Sequence, residues 1–192
     1  MKSLRTLLVL FAICFQLKAQ KNIELLKDET GKYTYYEVVL TQVAGDSLML
    51  RMTDFIAKNG KELRMQSKSA MGIIADGKMV IHKSLAIASH PTGEIKYNFN
   101  FEKTTNKYRF WLTDFQLIPY SKDRYGNFVP STTIAAPLEK EVGKSAKEQW
   151  EDYKLQVATY ATDFADRLKL HLASSGKVTP KPEEKKVISK TW

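Results

Sequence analysis

Cysteine is nearly missing from this chain. The single one, Cys14, sits inside an apolar run close to the N-terminus. Histidine is scarce as well, with only His82, His90 and His171, and no two of them stand in an H-x-x-x-H or H-E-x-x-H pair. Metal-ligand spacing is therefore lacking. His82 reads as a strand-surface residue, and His90 lies in a turn before Pro91. His171 falls in the last turn of a long helix, where a cation suits the helix dipole. The chain also lacks a Gly-rich phosphate loop and a Gly-x-Ser-x-Gly elbow. No catalytic motif stands out, and neither a metal nor a cofactor is expected.

Long apolar runs are lacking too. Leu7–Phe15 (LLVLFAICF) is the longest, at nine residues. A bilayer-spanning helix needs about 20, but nine residues suit the h-region of a signal peptide. Lys2 and Arg5 supply the positive n-region, and Ala19 is the small residue before the expected cut at Gln20. A buried first helix should be amphipathic, whereas this run is apolar all round. Cys14 does not suit lipoprotein acylation, because Ile13 precedes it and it lies within the run. Cleavage after Ala19 leaves a cysteine-free chain with no thiol chemistry and no transmembrane segment. An exported eukaryotic domain often carries disulfides; their absence fits a bacterial protein of the periplasm or exterior that relies on its core.

Of 192 residues, 43% are apolar. Removing residues 1–19 leaves 173, enough for one folded domain. Loss of Lys2, Arg5 and Lys18 lowers the net charge from +9 to +6. The remaining charge is dispersed, whereas nucleic-acid binding wants a concentrated basic patch. A solvated surface is the better reading.

Residues 20–32 read as a polar linker. Tyr33–Thr41 (YTYYEVVLT) is aromatic and β-branched, the composition of a strand. Leu48, Met52, Phe55 and Ile56 share one helical face. This predicts a helix over about 47–58, capped by Asp46 and stopped at Asn59-Gly60. A second strand is expected over Leu63–Ala75, a hairpin at Asp76-Gly77, and a third strand over Lys78–Ser89. His90-Pro91-Thr92-Gly93 reads as a turn. Ile95, Tyr97, Phe99 and Phe101 then alternate with Lys96, Asn98, Asn100 and Glu102, the period of a half-buried strand. Tyr108, Phe110 and Leu112 continue in a fifth strand. The apolar phase shifts by one at Phe115 and Leu117, which predicts a bulge near Thr113-Asp114. Residues 119–138 read as a long loop. Trp150, Tyr153, Val157, Tyr160, Phe164, Leu168 and Leu172 mark one long amphipathic helix. The charged tail 176–192 is expected to be disordered.

The expected architecture is α+β, in the order β-α-β-β-β-β-α, over residues 33–175. A five-stranded antiparallel sheet should carry both helices on its apolar face, leaving a polar face outward. Four segments resemble domain of unknown function 4468, a family of exported Bacteroidota proteins with a TBP-like fold. They are Gly31-Lys32-Tyr33 with Tyr36-Glu37-Val38-Val39, Gly45-Asp46-Ser47-Leu48 through Phe55-Ile56, Ile95-Lys96-Tyr97-Asn98-Phe99, and Lys107-Tyr108-Arg109-Phe110 with Thr113-Asp114. The family's usual tryptophan in the first helix is absent here, with Phe55 in its stead. The resemblance implies a TBP-like sheet and no activity, since fold alone does not confer function.

If Tyr108, Phe110 and Leu112 face the helices, Arg109 and Trp111 face outward, and a Trp beside an Arg suits a recognition hot spot. Alternatively, the bulge turns Trp111 into the core. Tyr120, Arg124, Tyr125 and Phe128 form a second candidate patch, or their loop folds back as a lid, the preferred alternative. These features favour a non-enzymatic binding module for an envelope protein or glycan. A hydrolase using carboxylates such as Asp114 beside Asp123 is the alternative, and nucleic-acid binding comes last.

Overall fold

The computed structural model describes residues 25–84 and 89–174. The expected leader 1–19, the tail 176–192, Leu85 and Ile87 lie outside the described residues. Eight strands form around one spine. They are β1 (Leu26–Lys27), β2 (Tyr33–Leu40), β3 (Leu63–Lys68), β4 (Gly72–Ser84), β5 (Ser89–Lys103), β6 (Lys107–Lys122), β7 (Phe128–Pro130) and β8 (Ala136–Pro137). Helix α1 (Gly45–Lys58) follows β2, and α2 (Lys147–Ala173) follows β8 after one 3-10 turn. The sheet order is β1-β2-β6-β5-β4-β3, with β7 and β8 also paired to β6. Every pairing is antiparallel. The sheet thus has more than the expected five strands, because short segments of the supposed linker and loop pair at its margins.

Alternation along β5 does what period two demands. Ile95, Tyr97, Phe99 and Phe101 are buried, as are Tyr108, Phe110 and Leu112 of β6. Both helices lie over this face. Helix α1 contributes Leu48, Met49, Met52, Phe55 and Ile56. Helix α2 contributes Tyr153, Val157, Phe164, Leu168 and Leu172, with Ala158, Ala161 and Ala165 where small side chains let the backbone approach. Phe164 meets Phe99 edge-on at 5.3 Å and Phe55 at 5.6 Å. This aromatic junction joins the sheet to both helices. Each such ring withdrawn from water contributes up to about 3 kcal/mol.

The bulge falls where the apolar phase shifts. Between β5 and β6 the register slips from Asn98↔Thr113 to Lys96↔Gln116, and Asp114 takes φ +60°. Aspartate tolerates that left-handed conformation better than most residues. Its carboxylate is held by Lys32 at 2.8 Å, Asn98 at 3.2 Å and Gln116 at 3.4 Å.

Several expectations need correction. Asp76-Gly77 is not a hairpin: it lies within β4, and the chain reverses at Ser69–Met71 instead. There the Ser69 hydroxyl accepts hydrogen bonds from the amides of Met71 and Gly72. Residue 77 is glycine because the Tyr97 ring lies against its backbone. His90–Gly93 is no turn either, since it belongs to β5 opposite β4. Helix α1 begins at Gly45, so Asp46 sits in its first turn and makes no cap; Ala44 occupies the cap position. The supposed linker supplies β1 and the buried Leu25. The supposed loop 119–138 is the end of β6, a hairpin to β7, and β8. Its turn is closed by Asp123 Oδ1, which accepts from the amides of Tyr125 and Asn127.

Candidate functional site

The face of the sheet opposite the helices carries the candidate residues. Cross-strand register sets them in rows. Tyr36 of β2 pairs with Trp111 of β6, and Trp111 with Asn100 of β5. The next row holds Val38, Arg109 and Glu102. Trp111 precedes the bulge, so it keeps the outward phase of Arg109 and does not turn into the core. Its ring centre lies 6.4 Å from that of Tyr36, tilted by 37°. The Arg109 guanidinium stands 5.6 Å from the Trp111 ring, in cation–π range.

Arg109 is anchored at its other side. Its Nε donates to Glu102 Oε2 at 2.7 Å. This hydrogen bond to Glu102, the leading cause, raises the guanidinium above its ordinary pKa. Arg109 and Glu102 are both about half exposed, at 52% and 45%, so the pair orients the guanidinium beside the two rings without burying it. A groove of about 310 Å³ runs beside them, lined by Tyr36, Val38, Glu102, Lys107 and Arg109 among others. A second hollow of about 550 Å³ lies at the β3–β4 turn, between Ser67–Ile74 and Asn100–Thr104. The outward face is less polar than expected, because Tyr36, Val38, Leu40, Ile74 and Val80 are all exposed on it or at its rim.

The second candidate patch does not join the first. Tyr120 lies nine residues further along β6, and Arg124, Tyr125 and Phe128 belong to the β6–β7 hairpin. Tyr125 at the hairpin turn is 73% exposed, stacked only by the Arg124 guanidinium at 4.8 Å. Phe128 stacks on His90 at 5.4 Å, with Lys122 over the ring at 5.2 Å. The hairpin therefore presents its own aromatic tip and does not close over Trp111 as a lid. Tyr120 donates to Glu94 Oε2 at 3.0 Å. Burial, then this carboxylate, pushes the Tyr120 hydroxyl up to about 12. Glu94 is itself only 9% exposed, with Lys96 3.9 Å away.

Glu94, Tyr36 and Glu102 escaped the sequence analysis. Tyr36 was hidden because both phases of YTYYEVVL are apolar. Glu102 was hidden because its partner Arg109 lies across a strand pair. Asp114 and Asp123 do not come together. Nine residues of strand separate them, about 30 Å at 3.3 Å per residue, whereas paired glycosidase carboxylates stand about 5–9.5 Å apart. One closes the bulge and the other closes a turn. His82 is exposed, and its amide bonds to Gln156. His90 stacks on Phe128 within a strand. His171 faces Asp54 at 3.1 Å. Among the described residues, no group of three or more His, Cys, Asp or Glu is placed to hold a metal. No described helix is long and apolar enough to cross a membrane.

Solved structures share this architecture. A DUF4468 family protein from Bacteroides ovatus ATCC 8483 superposes with a TM-score of 0.59 at 12% identity, covering 80% of this chain and 92% of its own. A TBP-like protein from Parabacteroides distasonis ATCC 8503 superposes at 0.56 and 10% identity, covering 76% of this chain and 95% of its own. At such identities the likeness concerns the fold. No curated protein sequence matches the chain. Residues 35–117 match the family described as domain of unknown function (DUF4468) with TBP-like fold. They begin inside β2 and end inside β6, taking in α1 and the central strands. Residues 35–117 of this chain are therefore a DUF4468 domain with a TBP-like fold.

Proposed function

We propose that this protein is an exported, non-enzymatic binding module that recognises an envelope component through the outer face of its sheet. The observation that carries this reading is the Tyr36–Trp111–Arg109 group, kept outward on a rigid sheet and pinned by Glu102. Trp, Tyr and Arg dominate binding hot spots because they bury much area at low entropy cost. The hydrogen bond from Arg109 to Glu102 orients the guanidinium towards the same face before docking. A protein surface or a glycan of the envelope fits such a group, and Asn100 beside Trp111 offers both hydrogen-bond senses to either. Export rests on the Lys2–Ala19 leader pattern. The dispersed charge speaks against nucleic acid, and the separation of Asp114 from Asp123 speaks against a hydrolase built on that pair.

Affinity capture from envelope extracts tests this reading. The protein, a Trp111→Ala variant and an Arg109→Ala variant are compared, each first shown to be folded by circular dichroism. A hot-spot loss of about 2 kcal/mol or more corresponds to roughly 30-fold weaker capture. Equal recovery by all three proteins removes the outer face as the recognition surface. N-terminal sequencing of protein from the periplasmic fraction should begin at Gln20; an intact Met1 there contradicts export by cleavage.

A further inference from the structure

A third hollow of the outer face lies away from the aromatic group. It holds about 390 Å³ and opens where β3, β4 and β5 run side by side. Four exposed cations line it: Lys61 just before β3, Arg64 on β3, Lys78 on β4 and Lys96 on β5. Lys78 and Lys96 stand directly opposite each other in the β4–β5 register. Opposite residues have Cβ atoms about 4.5–5.5 Å apart, and like charges so placed destabilise a sheet. The two carboxylates of the groove do not relieve this. Glu62 is held by Arg167 at 3.2 Å and accepts from the Tyr160 hydroxyl at 3.3 Å. Asp76 stands opposite Arg64 in register, but its carboxylate accepts from the Gln66 side-chain amide. Lys96 has only Glu94, at 3.9 Å. Among the described residues, no carboxylate stands in ion-pair range of Lys61, Arg64 or Lys78.

We propose that this groove binds a phosphoryl dianion, as free phosphate or as the phosphate monoester of a sugar. Its lining carries a net charge of +2, against about −1.5 to −2 on a phosphate monoester at neutral pH. A phosphate oxygen set between Lys78 and Lys96 replaces their repulsion with two charge-assisted hydrogen bonds. Arg64 adds a planar fork, the geometry that grips phosphate oxygens. A single carboxylate would leave half of the charge unmet. A nucleic-acid backbone needs a long basic track, whereas these cations share one short groove. Lys96 and Asn100 share the outer face, four residues apart, about 13 Å along β5 at 3.3 Å per residue. A phosphorylated glycan could therefore reach both this groove and Trp111, which pairs with Asn100. The groove takes its phosphate whether or not the aromatic group binds anything.

Isothermal titration of the chain beginning at Gln20 tests the site, with inorganic phosphate and glucose 6-phosphate as the probes. It is run at about pH 8, where the second phosphate proton is lost, at constant ionic strength set with sodium chloride. At least one of the two anions should saturate a single site. Joint Lys78→Gln and Lys96→Gln changes should weaken that binding about tenfold or more. The control, Lys140→Gln with Lys147→Gln, removes the same charge from exposed positions off the groove and should leave binding within about twofold. The anion that binds should also raise the urea midpoint of the protein, and not that of the Lys78/Lys96 variant. Tighter binding of the sugar phosphate assigns the site to a phosphorylated glycan; tighter or equal binding of inorganic phosphate assigns it to the free anion. No saturable binding of either anion overturns the proposal. Equal weakening by the two double variants also overturns it, the effect then being one of net charge alone.

Discussion

Replacing Gly77 with alanine tests how β4 and β5 fit together. A Cβ at this position would lie 2.1 Å from Tyr97 Cζ and 2.2 Å from Cε2. Ordinary contact begins near 3.4 Å, so the ring would have to retreat by about 1.3 Å. It is not free to do so. Tyr97 is buried, its hydroxyl meets that of Tyr160 at 2.7 Å, and its ring packs on Phe115 at 5.9 Å. Overpacking costs about 1–3 kcal/mol, and loss of the Tyr97–Tyr160 hydrogen bond adds about 1 kcal/mol. Against this, alanine gains roughly 0.5–1 kcal/mol over glycine within a strand. The net expectation is a destabilisation of about 1–3 kcal/mol in equilibrium urea unfolding, with the slope unchanged. Removing the obstacle should relieve it, so Gly77→Ala in a Tyr97→Ala background should couple by at least about 1 kcal/mol. A neutral or stabilising Gly77→Ala, or strict additivity of the two changes, refutes the reasoning.

Phe164→Ala removes the ring that links α1, α2 and β5, and should cost about 3–5 kcal/mol in the same assay; a loss below about 1 kcal/mol would mean the junction is not a core contact. Burial, the leading cause, holds the Tyr160 hydroxyl up to about 12 and the Tyr97 hydroxyl well above its usual range. Both stay protonated in the folded state while the unfolded chain releases those protons above about pH 10. The contribution of these two tyrosines should therefore be unchanged between neutral pH and about pH 10 and fall between about pH 10 and 12, with tyrosinate absorbance rising as the protein unfolds. A urea midpoint flat through pH 11.5 contradicts that burial.

Strand β5 was legible because its alternation is clean and only one of its faces is apolar. The bulge was legible for the same reason, as the slip from Leu112 to Phe115 has a single simple explanation. Helix α2 showed itself through large side chains at three- and four-residue spacing, although Ala158, Ala161 and Ala165 carry no such signal. Asp76-Gly77 misled because a dipeptide common in turns served a different need. Glycine is there for an aromatic ring on the neighbouring strand, which no local pattern reveals. Pro119, Pro130 and Pro137 suggested a loop, yet proline is compatible with marginal strands and their ends. At the candidate site, the outward placement of Arg109 and Trp111 followed from the phase of β6. Tyr36 and Glu102 complete the group only through pairing, and pairing partners are set by topology.

Strand β6 pairs with β2, β5, β7 and β8, and its register with β2 spans Thr34↔Thr113 to Leu40↔Lys107. The first long strand of the domain thus waits for a partner some seventy residues downstream. At ribosomal speeds of about 5–20 residues per second, that wait lasts about 4–15 s. Throughout it, YTYYEVVL has no native neighbour along β6, and its aromatic and β-branched side chains are the kind that pair readily with other strands. Late closure leaves those seconds as the interval in which a holdase has most to protect.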